Sequence, residues 1–167
     1  MVNIRSASVT DIPAITDIYN EAVLKTTASF DTEAKTVEDR KTWFKSHHHR
    51  YPVLVAVEDG IIVGWASLSP WSTRLAYVGT VEDSVYVRES SQGNGIGKQL
   101  LEEILEQGLK AGFHTVIARI ADSNIVSIHL HEVFNFKKIG IMKEVGFKFG
   151  KRLDVYLMQK IFEENGM

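Results

Sequence analysis

The apolar positions of the chain change period several times, and each change marks an element. Val2 to Ala7 alternates weakly and predicts a first strand. Thr10-Asp11-Ile12-Pro13 then joins a capping side chain to an early proline, and Ile12, Ile15, Ile18, Tyr19 and Ala22 recur at helical spacing behind it. A second helix is predicted from Thr36 to about His47, with Asp39 completing a short-armed capping box and Val37, Trp43 and Phe44 as apolar contacts. Two β-rich runs, Pro52–Val57 and Ile61–Leu68, flank Glu58-Asp59-Gly60, and Asp-Gly between such runs signals a hairpin of adjacent antiparallel strands. Ser69-Pro70-Trp71-Ser72 breaks the pattern into a loop, and Val81–Val87 restores it. A helix follows from about Gly97 to Ala111, its Leu100, Leu101, Ile104, Leu105 and Leu109 forming one stripe and Gly112 its C-terminal cap. Thr115–Ile120 reads as a strand buried on both faces, and Ser123 or Asn124 caps a helix through about Val133. Strands near Lys143–Phe149 and Asp154–Ile161, turning at Gly150, close the chain.

The 167 residues contain no internal repeat, linker or low-complexity tract, which predicts a single domain over residues 1–167. A hydrophobic share of 44% supplies a packed core, and a formal net charge of -2 provides no global field for nucleic acid phosphates. The absence of cysteine removes disulfides, thiolate nucleophiles and cysteine-ligated metals. Met1-Val2-Asn3-Ile4-Arg5 has no basic region running into an apolar one, and no apolar stretch is long enough to span a bilayer, so a cytoplasmic protein with no membrane partner is expected.

The chemistry concentrates in Val85-Tyr86-Val87-Arg88-Glu89-Ser90-Ser91-Gln92-Gly93-Asn94-Gly95-Ile96-Gly97-Lys98. A strand enters a glycine-rich turn and then a helix, which presents unpaired N–H groups and the positive end of the helix dipole to an anion. Phosphate binding follows from that arrangement, against the plainer reading of a glycine turn without a ligand. The glycines run G-x-G-x-G after several strands, unlike a dinucleotide fingerprint, and Gly97-Lys98-Gln99 lacks the P-loop hydroxyl. His47-His48-His49 is a poor tetrahedral metal site because neighbours on a helix diverge, and a surface run is expected. His131-Glu132 has Asn135 where a zinc-protease motif needs a second histidine, so no metal is predicted.

Gln92-x-x-Gly95-x-Gly97 resembles the acetyl-CoA pyrophosphate motif of the GNAT superfamily of N-acetyltransferases, and Asn124-x-x-Ser127-x-x-Leu130-His131 leading to Asn135-Phe136 resembles its later segment. Thr27-Ala28-Ser29-Phe30, Pro70-Trp71, Arg74 with Tyr77, Thr80 to Val87, Leu130-His131-Glu132 and Val145 to Gly150 are similar, in order, to the phosphinothricin and methionine sulfoximine acetyltransferase subgroup. The resemblance covers nearly the whole chain. It implies an α/β fold with a mixed, mostly antiparallel central sheet, helices on both faces and strands splayed at the acetyl-CoA site. Two positions depart from the pattern. Asn135 stands where glycine is usual, and asparagine tolerates the left-handed backbone such a turn needs; Gln92 replaces the commoner arginine and removes one cationic contact.

The resemblance also implies roles. Glu82 is the expected general base, with a solvated strand carboxylate as the alternative; His131 is the expected proton donor to the coenzyme thiolate, with a histidine bonded inside its own helix as the alternative. Val85 and Val87 would pair with the pantetheine arm, Gln92, Gly93, Asn94, Gly95, Ile96, Gly97 and Lys98 would hold the pyrophosphate, and Asn124 and Ser127 would contact the cofactor unless Asn124 is a plain helix cap. Arg74 is expected to clamp an acceptor carboxylate inside walls of Phe30, Trp71 and Tyr77, with an exposed loop arginine as the alternative. Together these imply an acetyl-CoA-dependent enzyme acetylating a small amino-acid-like amine as a homodimer. A protein N-terminus, polyamine or aminoglycoside acceptor, or a non-catalytic acyl-CoA sensor, stays open.

Overall fold

The computed structural model describes residues 1–47, 49–121 and 123–163. Seven strands form one sheet: β1 (Val2–Ser6), β2 (Val53–Glu58), β3 (Ile61–Pro70), β4 (Thr80–Val87), β5 (Thr115–Ala121), β6 (Lys137–Lys148) and β7 (Lys151–Ile161), in the order β1-β2-β3-β4-β5-β7-β6. Every pairing is antiparallel except β4 with β5. That parallel pair needs a crossover, and α3 (Ile96–Lys110) provides it.

The helices cover both faces. The stripe predicted for α3 is sealed, with Leu100, Leu101 and Ile104 at 0% exposure against Leu54, Ala66, Leu68 and Val116. Each such side chain contributes about 1.5–3 kcal/mol of transfer free energy. On the opposite face α1 (Ile12–Lys25) lays Ile12, Ile15 and Ile18 on Val53, Val55 and Trp65, and α2 (Val37–Ser46) adds Trp43 and Phe44. α4 (Ile125–Val133) joins the α3 side through Ile128 and Leu130.

The local signals behave as their chemistry dictates. Thr36 and Asp39 form the reciprocal capping box at the start of α2. Asp59 and Gly60 both have positive φ, as a two-residue hairpin turn requires, and Asn135 takes the left-handed conformation at φ 64° just after α4. Three boundaries move: β3 continues through Ser69 and Pro70, expected as loop, β7 begins at Lys151 rather than near Asp154, and β6 begins at Lys137 rather than near Lys143. It is an edge strand broken by two register shifts, with Glu144 at φ 53°, so its inward and outward positions never alternate cleanly.

One feature of the topology positions the site. β4 and β5 pair only at Thr80–Thr115, Val81–Val116 and Glu82–Ile117. Beyond Glu82, β4 stays with β3 while β5 follows β7 to Ala121, and the two strands part. The sheet therefore holds a wedge, with an unpaired strand edge on each side.

Candidate active site

The wedge opens into a cavity of about 800 Å³. Glu82 stands at its apex, the last residue of β4 paired to β5. Across the gap, Arg119 Nε donates to Glu82 Oε1 at 2.7 Å and Nη2 donates to Oε2 at 2.6 Å. This bidentate bond holds the guanidinium above its already high ordinary pKa, against the opposing effect of partial burial. The Arg119 side chain keeps 52% of its surface exposed while Glu82 keeps 20%, and the guanidinium carbon lies 5.5 Å from the Trp71 ring centroid. A paired carboxylate thus meets the cavity beside a cation whose other donors have no acceptor among the described residues.

Asp83, one residue on, points to the other face. Its Oδ2 lies 2.7 Å from His131 Nε2, and His131 Nδ1 lies 2.7 Å from the Ser127 carbonyl. With the Ser127 carbonyl and the Asp83 carboxylate as acceptors, this arrangement favours a proton on each ring nitrogen, the imidazolium form. Burial opposes that charge, but the Asp83 carboxylate and the Ser127 carbonyl outweigh it, and the His131 pKa is raised. The pair is sealed, at 5% and 2% side-chain exposure. Both protons of His131 are therefore committed to protein acceptors, and releasing one toward a ligand requires breaking a buried bond. Asp83 Oδ1 is buried and has no partner among the described residues. Asn124 Oδ1 accepts from Ser127 N at 3.1 Å and so caps α4 while lining the cavity with Ser127 and His131.

The segment after α1 closes the Glu82 side. The Tyr19 hydroxyl donates to the Asp31 carboxylate and shares a 2.9 Å bond with Ser29 Oγ; burial, then the Asp31 bond, push its pKa up to about 12, so it remains a neutral phenol. Lys148 Nζ donates to the Ser29 carbonyl at 2.6 Å and fixes this segment to β6. Phe30, 39% exposed, lies over Gly146, where an added Cβ would come within 2.3 Å of the ring. Gly146→Ala is accordingly expected to displace Phe30 rather than the fold: thermal stability changes by less than about 1.5 kcal/mol because the ring is exposed enough to move, while the acceptor KM rises several-fold. Unfolding curves and steady-state kinetics on one preparation check both parts. Behind Tyr19 a second cavity of about 460 Å³ is walled by Trp43, Trp65 and Arg40, whose buried guanidinium stacks 3.8 Å from the Trp43 centroid.

Past the free edge of β4 the chain enters the glycine loop. Gly93 and Gly95 have φ of 81° and 76°, left-handed conformations that explain glycine there, and Gly95 is the N-cap of α3. Among the described residues the N–H groups from Gly93 to Lys98 find no acceptor outside their helix, and first-turn donors have none within it. Gln92 Nε2 donates 3.1 Å to the Val87 carbonyl, so its side chain ties the loop to β4 rather than projecting as a cation would. A free strand edge ending at a cluster of unpaired donors at a helix N-terminus fits a ligand with an extended amide arm and a pyrophosphate.

Phe30, Glu82, Val85, Asn124, Ser127 and His131 thus come together around one cavity, and the loop from Gln92 to Lys98 follows directly from Val87. Arg74 and Tyr77 do not join them. They lie in the exposed β3–β4 connection, Arg74 with its backbone N–H on Ser72 Oγ, and neither is among the residues that line the cavity. Trp71 approaches only through Arg119. His47 departs from a plain surface run, since its ring packs tilted against Trp43, centroids 4.5 Å apart, and bonds Ser69 Oγ at 2.8 Å; His48 lies outside the described residues. Sequence reasoning missed Asp83 and Arg119. A charged residue inside the apolar runs Val81–Val87 and Thr115–Ala121 was the available signal, because buried strands seldom carry one without a partner.

Comparison with known proteins places this geometry. The Acetyltransferase (GNAT) family model matches residues 14–136. An L-methionine sulfoximine/L-methionine sulfone acetyltransferase of Salmonella typhimurium is 38% identical over 165 residues, covering 98% of this chain and 96% of the relative. A ribosomal-protein-alanine N-acetyltransferase from Brucella melitensis superposes with a TM-score of 0.93 at 39% identity, over 96% of this chain and 99% of the other. A phosphinothricin acetyltransferase from Sinorhizobium meliloti, solved with acetyl-CoA, gives a TM-score of 0.93 at 35% identity over 96% and 88%.

Proposed function

The chain belongs to the GNAT acetyltransferase family and is an acetyl-CoA-dependent acyltransferase, and from that premise we propose that its acceptor is the α-amino group of a small amino-acid-like molecule of the phosphinothricin, methionine sulfoximine or methionine sulfone type. The observation that carries the reading is the Glu82 carboxylate at the apex of the wedge, where the acceptor cavity meets the free edge of β4. Acetyl-CoA, when bound, supplies an acetyl group activated as a thioester. The residues of this chain do the rest. The free edge of β4 at Val85 and Val87 holds the pantetheine arm, the donors from Gly93 to Lys98 hold the pyrophosphate, and Glu82 accepts a proton from the acceptor ammonium so that a neutral amine faces the thioester. The buried His131 imidazolium places a positive charge near the unpaired edge, where negative charge develops as the thiolate leaves. The protein acts as a homodimer in the cytoplasm, the compartment that holds acetyl-CoA; exposed Leu75, Val78, Ile125 and Val126 supply apolar surface for a second copy.

Saturating acetyl-CoA is expected to raise the melting temperature, by the equivalent of about 2.7 kcal/mol at a hundred times its Kd, whereas NAD and ATP have little effect. A thiol-release screen then separates acceptors: phosphinothricin, methionine sulfoximine and methionine sulfone are acetylated in preference to polyamines, aminoglycosides and an alanine-terminated peptide. Acetylation of the peptide or the polyamines alone would replace the small amino-acid reading.

A further inference from the structure

Arg119 has a role in acceptor choice that its chemistry and position define together. It is the one charged residue of β5, set among Val116, Ile117, Ala118 and Ile120, yet its guanidinium emerges half-exposed into the main cavity. Of its five donors, two go to Glu82 and the others have no acceptor among the described residues. We propose that Arg119 clamps the acceptor's carboxylate while Glu82 takes its ammonium, so that the Glu82–Arg119 ion pair reads the zwitterion of an α-amino acid as a unit; this deepens the amino-acid reading above and rests on it.

Charge matching carries the argument. An α-amino acid holds its two opposite charges one carbon apart, and the pair offers the complementary charges in contact at 2.6 Å. Entry of the zwitterion exchanges one ion pair for two, and no charge is left alone. An amine without a carboxylate must instead take Glu82 from Arg119 and strand the guanidinium without a counter-charge, which opposes its binding. The planar fork that now grips the Glu82 carboxylate has the geometry to grip another. Opening the pair also frees the Glu82 oxygens, both occupied in the free protein, to receive the ammonium proton. The rival cations are placed elsewhere: Arg74 lies outside the cavity, and Arg40 has Nε and Nη2 sealed behind aromatic rings.

The test is binding calorimetry on the full chain saturated with coenzyme A, using L-methionine sulfone and the amine left when its carboxylate is removed. The wild type is expected to bind the acid at least about tenfold more tightly, and Arg119→Ala to narrow that ratio to within about threefold, chiefly by weakening the acid. Arg119→Lys, which keeps the charge and loses the fork, falls between them, and Arg119→Gln serves if the alanine variant does not fold. An unchanged ratio in Arg119→Ala, or no preference in the wild type, overturns the assignment. A wild type that shows the Arg119-dependent preference but transfers acetyl to neither compound sustains the clamp and overturns the proposed function instead.

Discussion

Glu82→Gln is expected to lower turnover by roughly 10²-fold or more at neutral pH while leaving acetyl-CoA affinity nearly intact, the usual scale for losing a positioned general base. Glutamine keeps the shape and can still accept from Arg119 through its amide oxygen, so the wedge and the glycine loop are undisturbed. What it cannot do is take a proton from the acceptor ammonium. The loss should therefore appear in kcat with acetyl-CoA binding by calorimetry unchanged. Raising the pH should recover part of it, since the amine then arrives already neutral. Turnover close to the wild-type value near neutrality would move the proton-accepting role to water or to another group.

The second large effect concerns stability. Asp83→Ala leaves the His131 imidazolium without its counter-charge in a site only 5% exposed, and breaking a buried pair in this way costs about 3–5 kcal/mol. The sign of the pH dependence follows from the direction of the shift. The folded-state pKa of His131 is raised above 6.5, so the stability its protonation contributes is complete below about pH 6.5 and is lost as the pH rises through the folded value. The gap between wild type and variant should thus be widest near pH 6 and narrow toward pH 9 in denaturant titrations. Asp83→Asn keeps the volume and one hydrogen bond, and should flatten the pH dependence at a smaller cost. In the wild type, nitrogen-detected NMR should find protons on both ring nitrogens of His131 at neutral pH. A single protonated nitrogen there, together with the same pH dependence in wild type and Asp83→Asn, would show that the ring is neutral.

Sequence alone determined whatever rests on neighbours along the chain. Helical, alternating and continuous apolar patterns located the α-helices and the strands because each element must hide apolar surface; Asp59-Gly60 and Asn135 were legible because few residues accept positive φ; and Gln92 to Lys98 was legible because a glycine loop leading into a helix has one electrostatic character. The irregular edge strand β6 was underestimated because bulges erase alternation, which is the signal itself. Tertiary structure alone decided the partners of the charged groups. Glu82 and Arg119 are 37 residues apart and meet because β4 and β5 run parallel for three register positions and then part; Asp83 and His131 are 48 apart and meet because α4 packs its buried face toward β4. The same parting put Arg119 beside the carboxylate, while Arg74 stayed in the exposed β3–β4 connection. Coulomb energy depends on distance and on the surrounding dielectric, and neither is a property of residue type or of spacing along the chain.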